Sequence, residues 1–83
     1  MPAYNNLAKI LAAEGKHAEA TEVCRRGLIF SPDSAVLHCT LGTLLARQGQ
    51  RTEAIKEFQT ALRFDPNSAP ARDSLRILLN GPN

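Results

Sequence analysis

Apolar residues fall along this chain in a rhythm of three and four, broken by glycines and prolines. Leu37, Leu41, Leu44 and Leu45 recur at helical spacing until Gly49, and Ala54, Ile55, Phe58, Ala61 and Leu62 do so again before Pro66. Such spacing places the apolar groups on one stripe of an α-helix. Gly49 can take the left-handed conformation that ends a helix cheaply, and a proline cannot continue one. The pattern therefore predicts one helix from about Asp33 to Gln48 and a second ending at about Asp65. Earlier in the chain it predicts helices from about Ala3 to Glu14 and from about His17 to Ile29, closed by Pro32. Thr52 is expected to cap the start of the fourth helix, and Asp33 and Asn67 to cap the helices that follow the prolines.

The two halves are copies. Shifting the sequence by 34 residues aligns Leu7, Leu11, Ala12, Gly15, Glu19, Ala20, Leu28, Phe30, Pro32 and Ser34 with identical residues, ten identities where chance gives about two. Within each copy, small residues (Ala8 with Ala20, Gly42 with Ala54) stand where two antiparallel helices must approach closely, with Leu41, Leu45 and Phe58 beside them. A third copy begins at residue 69 and stops after one helix, placing Leu75 over Leu41 and Leu79 over Leu45, and Arg76 over Gly42. A long cation at that position suits a terminal helix facing water. The expected organisation is residues 1–34 as the first unit, 35–68 as the second, 69–80 as a capping helix and 81–83 as a tail.

Composition narrows the class. The 83 residues are rich in good helix formers, lack tryptophan, and carry 10 basic and 8 acidic groups interspersed along the chain, a net charge of +2. No nucleic-acid or membrane-surface footprint follows from that balance. No apolar run approaches the roughly 20 residues of a membrane-spanning helix. Cys24 and Cys39 form no disulfide framework and are expected as free thiols. With no leader pattern at the start, they favour a cytoplasmic setting. Met1 and Pro2 nevertheless stand where the first helix should begin, as at an excised boundary.

His38-x-x-Leu41-Gly42-x-x-Leu45, followed by Ala54-x-x-x-Phe58, Ala61 and Pro66, resembles the tetratricopeptide repeat, whose period is also 34. The first unit fits through Tyr4, Leu7, Ala8, Leu11, Ala20 and Pro32 and departs at Cys24 and Gly27. The resemblance implies an all-α fold of five helices, a right-handed solenoid or superhelix of antiparallel pairs whose first helices line a concave groove. It places Asn5, Asn6, Lys9, Ala12 and Ala13 in that groove from the first unit. Cys39, Thr40, Thr43, Ala46 and Arg47 follow from the second, and Asp73, Ser74 and Ile77 from the cap. Asn5, Asn6, Thr40 and Thr43 can bond a peptide main chain, and Lys9 and Arg47 can take carboxylates.

Two subsets of that family give contrasting guidance. The clamp for C-terminal carboxylates requires Lys where Asn5 stands, Asn where Lys9 and Thr40 stand, and Lys where Pro70 stands, so the chain does not match it. AYNNLAKILAAEGKHAEA is similar in wording to repeats of O-linked N-acetylglucosamine transferases and of bacterial repeat proteins. In those transferases an asparagine ladder holds peptide backbone; here it degrades from Asn6 to Thr40 and Ser74.

No catalytic or metal-binding pattern emerges from His17, His38, Cys24 and Cys39. His38 is expected as a partly buried packing ring, His17 in a turn, Cys24 as an inert packing group and Cys39 as a thiol facing the inner curve, able to react or to cross-link two chains. No glycine-rich phosphate loop is present, and no cofactor is expected. The sequence thus points to a non-catalytic scaffold that binds a protein or peptide. Two alternatives stand beside it: a self-assembling unit pairing through Leu75, Ile77 and Leu79, which span more than one helix face, and the substrate-presenting fragment of a larger enzyme.

Overall fold

The computed structural model describes residues 4–80, so the expected first-helix residue Ala3 and the tail 81–83 lie outside it. Five helices follow one another: α1 (Tyr4–Ala13), α2 (His17–Phe30), α3 (Ala35–Arg47), α4 (Arg51–Phe64) and α5 (Ala69–Asn80). No strand occurs among the described residues, and the all-α helical repeat is as expected. Among the described residues, no helix is long and apolar enough to cross a membrane.

The turns repeat bond for bond. Gly49 sits at φ 81°; its N–H donates to the Ala46 carbonyl (3.1 Å) and the Gln50 N–H to the Leu45 carbonyl (2.9 Å), the paired bonds that close a helix C-terminus around a left-handed residue. Gly15 has the same φ, with Gly15 donating to Ala12 (3.0 Å) and Lys16 to Leu11 (2.8 Å). At the proline joints, Ser34 donates to the Ser31 carbonyl and Ser68 to the Asp65 carbonyl, each at 3.1 Å.

The caps differ from expectation. Ser34, extended at φ −76° and ψ 104°, accepts the Leu37 N–H on its hydroxyl at 3.2 Å. Ser68 accepts from Ala71 at 3.4 Å. Asp33 and Asn67 each stand one residue too early to reach the orphan donors of the first turn. The Asp65 carboxylate instead accepts the Asn67 N–H at 3.2 Å, bracing the loop. Thr52 lies inside α4, whose cap position is Gln50, without a side-chain cap bond. His17 is the first residue of α2 rather than part of a turn.

The core is centred on α3 and α4. Leu41, Leu44, Leu45 and Phe58 are almost wholly buried, joined by Ala8, Ala20, Cys24, Ala54, Ala61 and Ala71. A Cβ on Gly42 would lie 3.0 Å from the Phe58 ring; Phe58 thus seats directly on Gly42 rather than flanking it. Gly27, the departure noted in the first unit, has a packing cause: a Cβ there would meet Tyr4 Cβ and Leu37 Cδ1, each at 2.9 Å. The smaller residue admits α1 and α3 together against α2.

Equivalent positions in the two units have different surroundings. Leu41 is 1% and Leu44 2% exposed, whereas their counterparts Leu7 and Ile10 are 47% and 55% exposed. The first unit covers that face of α3, and no described element covers it on α1. At the other end Leu75 packs on the core while Ile77 and Leu79 remain exposed. The guanidinium of Arg51 donates to the Leu78 carbonyl, tying α4 to the end of α5.

Candidate functional site

Because α1, α3 and α5 are the first helices of successive units, their like-positioned faces line one side of the molecule. A concave cavity of about 600 Å³ opens there along α3. Ala35, Val36, Cys39, Thr40, Thr43, Leu44 and Arg47 supply the α3 wall, Lys9, Ala12 and Ala13 the α1 wall, and Asp65, Ser68 and Pro70 the far end. Small side chains on α1 make the hollow, and Val36, 57% exposed, stands in it as an uncovered apolar group.

Several residues assigned to the groove from the sequence meet in this cavity: Lys9, Ala12, Ala13, Cys39, Thr40, Thr43 and Arg47. Ser74, Ile77 and Ala46 line a smaller adjoining hollow of about 250 Å³ that shares Thr43 and Arg47 with it, extending the surface toward α5. Asn5 stands beside the groove and Asn6 is exposed; neither lines a described hollow. Asp73 lies apart, with Leu62, Leu75 and Leu79 around a different depression, and its carboxylate is 3.4 Å from Arg76.

The hydrogen-bonding capacity of the groove is smaller than its residue types suggest. The Thr40 hydroxyl donates to Asn5 Oδ1 at 2.6 Å, joining α1 to α3. The Thr43 hydroxyl donates to the Cys39 carbonyl of its own helix at 3.1 Å. Both hydroxyl hydrogens are therefore engaged within the protein. Val36 and Leu44, not assigned to the groove from the sequence, and Pro70 add to its apolar character. A signal existed at Val36, an apolar β-branched residue outside the Leu37, Leu41, Leu44 stripe.

The two thiols differ in setting. Burial pushes the Cys24 thiol up to about 11, against a smaller opposing effect of Arg25. Burial also raises Cys39, with Lys9 pulling the other way. Cys39 is half-buried in the groove wall and Cys24 fully enclosed. A raised thiol holds less thiolate and is a weaker nucleophile at neutral pH.

His38 is a structural ring. Its Nδ1 is 2.8 Å from Glu57 Oε1 and its Nε2 2.9 Å from the Pro32 carbonyl, and its face stacks on Phe64. It binds α3 to α4 and to the preceding joint. Among the described residues, no three His, Cys, Asp or Glu side chains gather in a way that would hold a metal ion.

A tetratricopeptide repeat family model matches residues 11–76. No curated protein matches the chain.

Proposed function

Since the chain belongs to the tetratricopeptide repeat family, whose members generally mediate protein–protein interactions, we propose that it binds a segment of a partner protein along the cavity between α1, α3 and α5 and has no catalytic activity of its own. One observation carries this reading: the cavity of about 600 Å³ coincides with the face shared by the first helices, and Val36 stands uncovered within it. The contact set is Lys9, Thr40, Thr43 and Arg47, extended by Ser74. Asn5 serves by holding Thr40, while Asn6 and Asp73 lie outside the contact. The same reading requires no nucleic acid, cofactor or membrane.

A peptide library selected on the intact protein tests it. Ala13→Trp fills the groove from an exposed position and is expected to abolish binding of the selected peptides, whereas Asn6→Ala leaves it unchanged. Equal binding to the Trp variant would remove the groove assignment.

A second reading has its own observation. Leu79 is 58% exposed although its counterpart Leu45 is 2% exposed under α4. Together with Ile77 it offers a second copy of the chain an apolar end face. Light scattering over a concentration series should then show association that Leu79→Glu abolishes; a constant monomer mass argues against it.

A further inference from the structure

We propose that the segment taken by this groove is tripartite: an acidic side chain at the Lys9 and Arg47 end, an apolar side chain over the centre, and a cationic group toward Asp65. This rests on the groove reading above and adds the chemistry of its occupant.

The charges in the cavity are separated along its length. Arg47 stands in the last turn of α3 and Lys9 on the facing wall one turn beyond Asn5, the partner of Thr40, near enough to Cys39 to act on its thiol. Asp65, the acidic residue of the lining, follows Phe64, which stacks on His38 near the N-terminal end of α3. None of the ion pairs among the described residues involves Lys9, Arg47 or Asp65. The C-terminus of α3 contributes about half a negative charge. Its last carbonyls are already bonded by the Gly49 and Gln50 N–H groups. The full charge of Arg47 therefore outweighs that partial charge there, with that of Lys9 further along the same cavity, and a carboxylate is the complementary ligand.

The middle of the groove favours a side chain over a main chain. The hydroxyls of Thr40 and Thr43 donate within the protein, and Ala12, with Val36 toward the Asp65 end, presents only carbon. A bound segment finds few donors for its carbonyls and gains chiefly by burying an apolar group.

Spacing follows from helix geometry. The joint that carries Asp65 lies beside the first turn of α3, where Phe64 stacks on His38; from that turn, at Val36, to Arg47 an α-helix advances about 16 Å, which an extended chain covers in about five residues. The acidic and cationic groups of the segment should therefore stand about five residues apart, with the apolar residue between them.

Fluorescence anisotropy on synthetic labelled peptides tests this. The parent peptide carries Lys and Glu five positions apart around a central Phe; one companion replaces both charges by Gln, and another exchanges Glu for Lys. The parent should bind the intact protein and slow alkylation of Cys39. The Gln peptide, and the parent on a Lys9→Glu/Arg47→Glu variant, should each bind at least about tenfold more weakly, the size of one charge-assisted hydrogen bond. The doubly cationic peptide should recover affinity on that charge-reversed variant. Lys9 and Arg47 are exposed, so the variant is expected to fold, which circular dichroism verifies. If the Gln peptide binds as tightly as the parent and protects Cys39, the groove reading stands and the proposed charge chemistry falls. If no peptide in the panel protects Cys39 while library-selected peptides do, the proposed chemistry also falls. Failure of every peptide to protect it removes both.

Discussion

The ring of His38 stacks on that of Phe64, with centroids 5.8 Å apart and planes inclined by 20°. In the first unit Tyr4 does the same to Phe30 at 6.0 Å and 15°. The shared geometry fastens the start of each first helix to the end of its partner. His38 adds hydrogen bonds that Tyr4 has no ring nitrogens to make. His38→Phe keeps the stack but leaves Glu57 half-buried without its partner. It should lower stability by about 1–3 kcal/mol, as read by urea denaturation. His38→Phe combined with Glu57→Leu should recover much of that loss; an unchanged loss would show that the His38–Glu57 contact contributes little.

Gly27→Ala sets two effects against each other. Replacing glycine inside a helix gains about 1 kcal/mol. The added methyl meets Tyr4 Cβ and Leu37 Cδ1 at 2.9 Å, and overpacking costs typically about 1–3 kcal/mol. Leu37 can swing its methyl aside, but Tyr4 Cβ moves only with α1. The clash should prevail, giving net destabilisation of about 1 kcal/mol and a lower thermal midpoint. A midpoint raised by the substitution would mean that α1 shifts freely on α2.

Capping offers a contrast between neighbours. Ser34→Ala removes the acceptor of the Leu37 N–H and should cost about 1 kcal/mol, whereas Asp33→Ala and Thr52→Ala should be near neutral. Equal effects at Ser34 and Asp33, measured by chemical denaturation, would return the cap to the aspartate.

Cys24 predicts an alkaline limit. An exposed thiol ionises near 9.0 and the folded one only near about 11, so folding favours the neutral form. That contribution is complete below pH 9.0 and lost as pH rises from 9.0 to about 11. Unfolding midpoints should fall through that window, and Cys24→Ala should flatten the fall. With a disulfide reagent at about pH 8, Cys39 should react first and Cys24 at the rate of unfolding; simultaneous modification of both thiols would contradict the enclosure of Cys24.

Most of the fold is legible in the sequence because it is local. Gly15 and Gly49, the prolines and the apolar stripes are read one turn at a time, and the 34-residue period checks each reading against its copy. At the proline joints the caps fall one residue beyond Asp33 and Asn67 because Asp, Asn and Ser compete at adjacent positions and the backbone dihedrals decide among them. The groove was legible as a face, through Lys9, Thr43 and Arg47, but its chemistry was not. Whether Thr40 turns to a ligand or to Asn5 depends on the packing of α1 against α3, which no single helix encodes. Asp73 shares its helix with Ser74, yet about 100° of rotation per residue carries it to another side.

The placement of buried residues on α3 has a consequence for how the molecule opens. Five residues of α3 are buried against one each in α1 and α5. In a linear array each element depends on its neighbours alone, so the ends detach at less cost than the middle. Amide hydrogens of α1 and α5 should exchange with solvent first, those of α2 next, and those of α3 and α4 only with global unfolding. Two walls of the groove belong to the elements that release earliest, so a ligand bridging α1 to α5 would slow exchange at both ends at once.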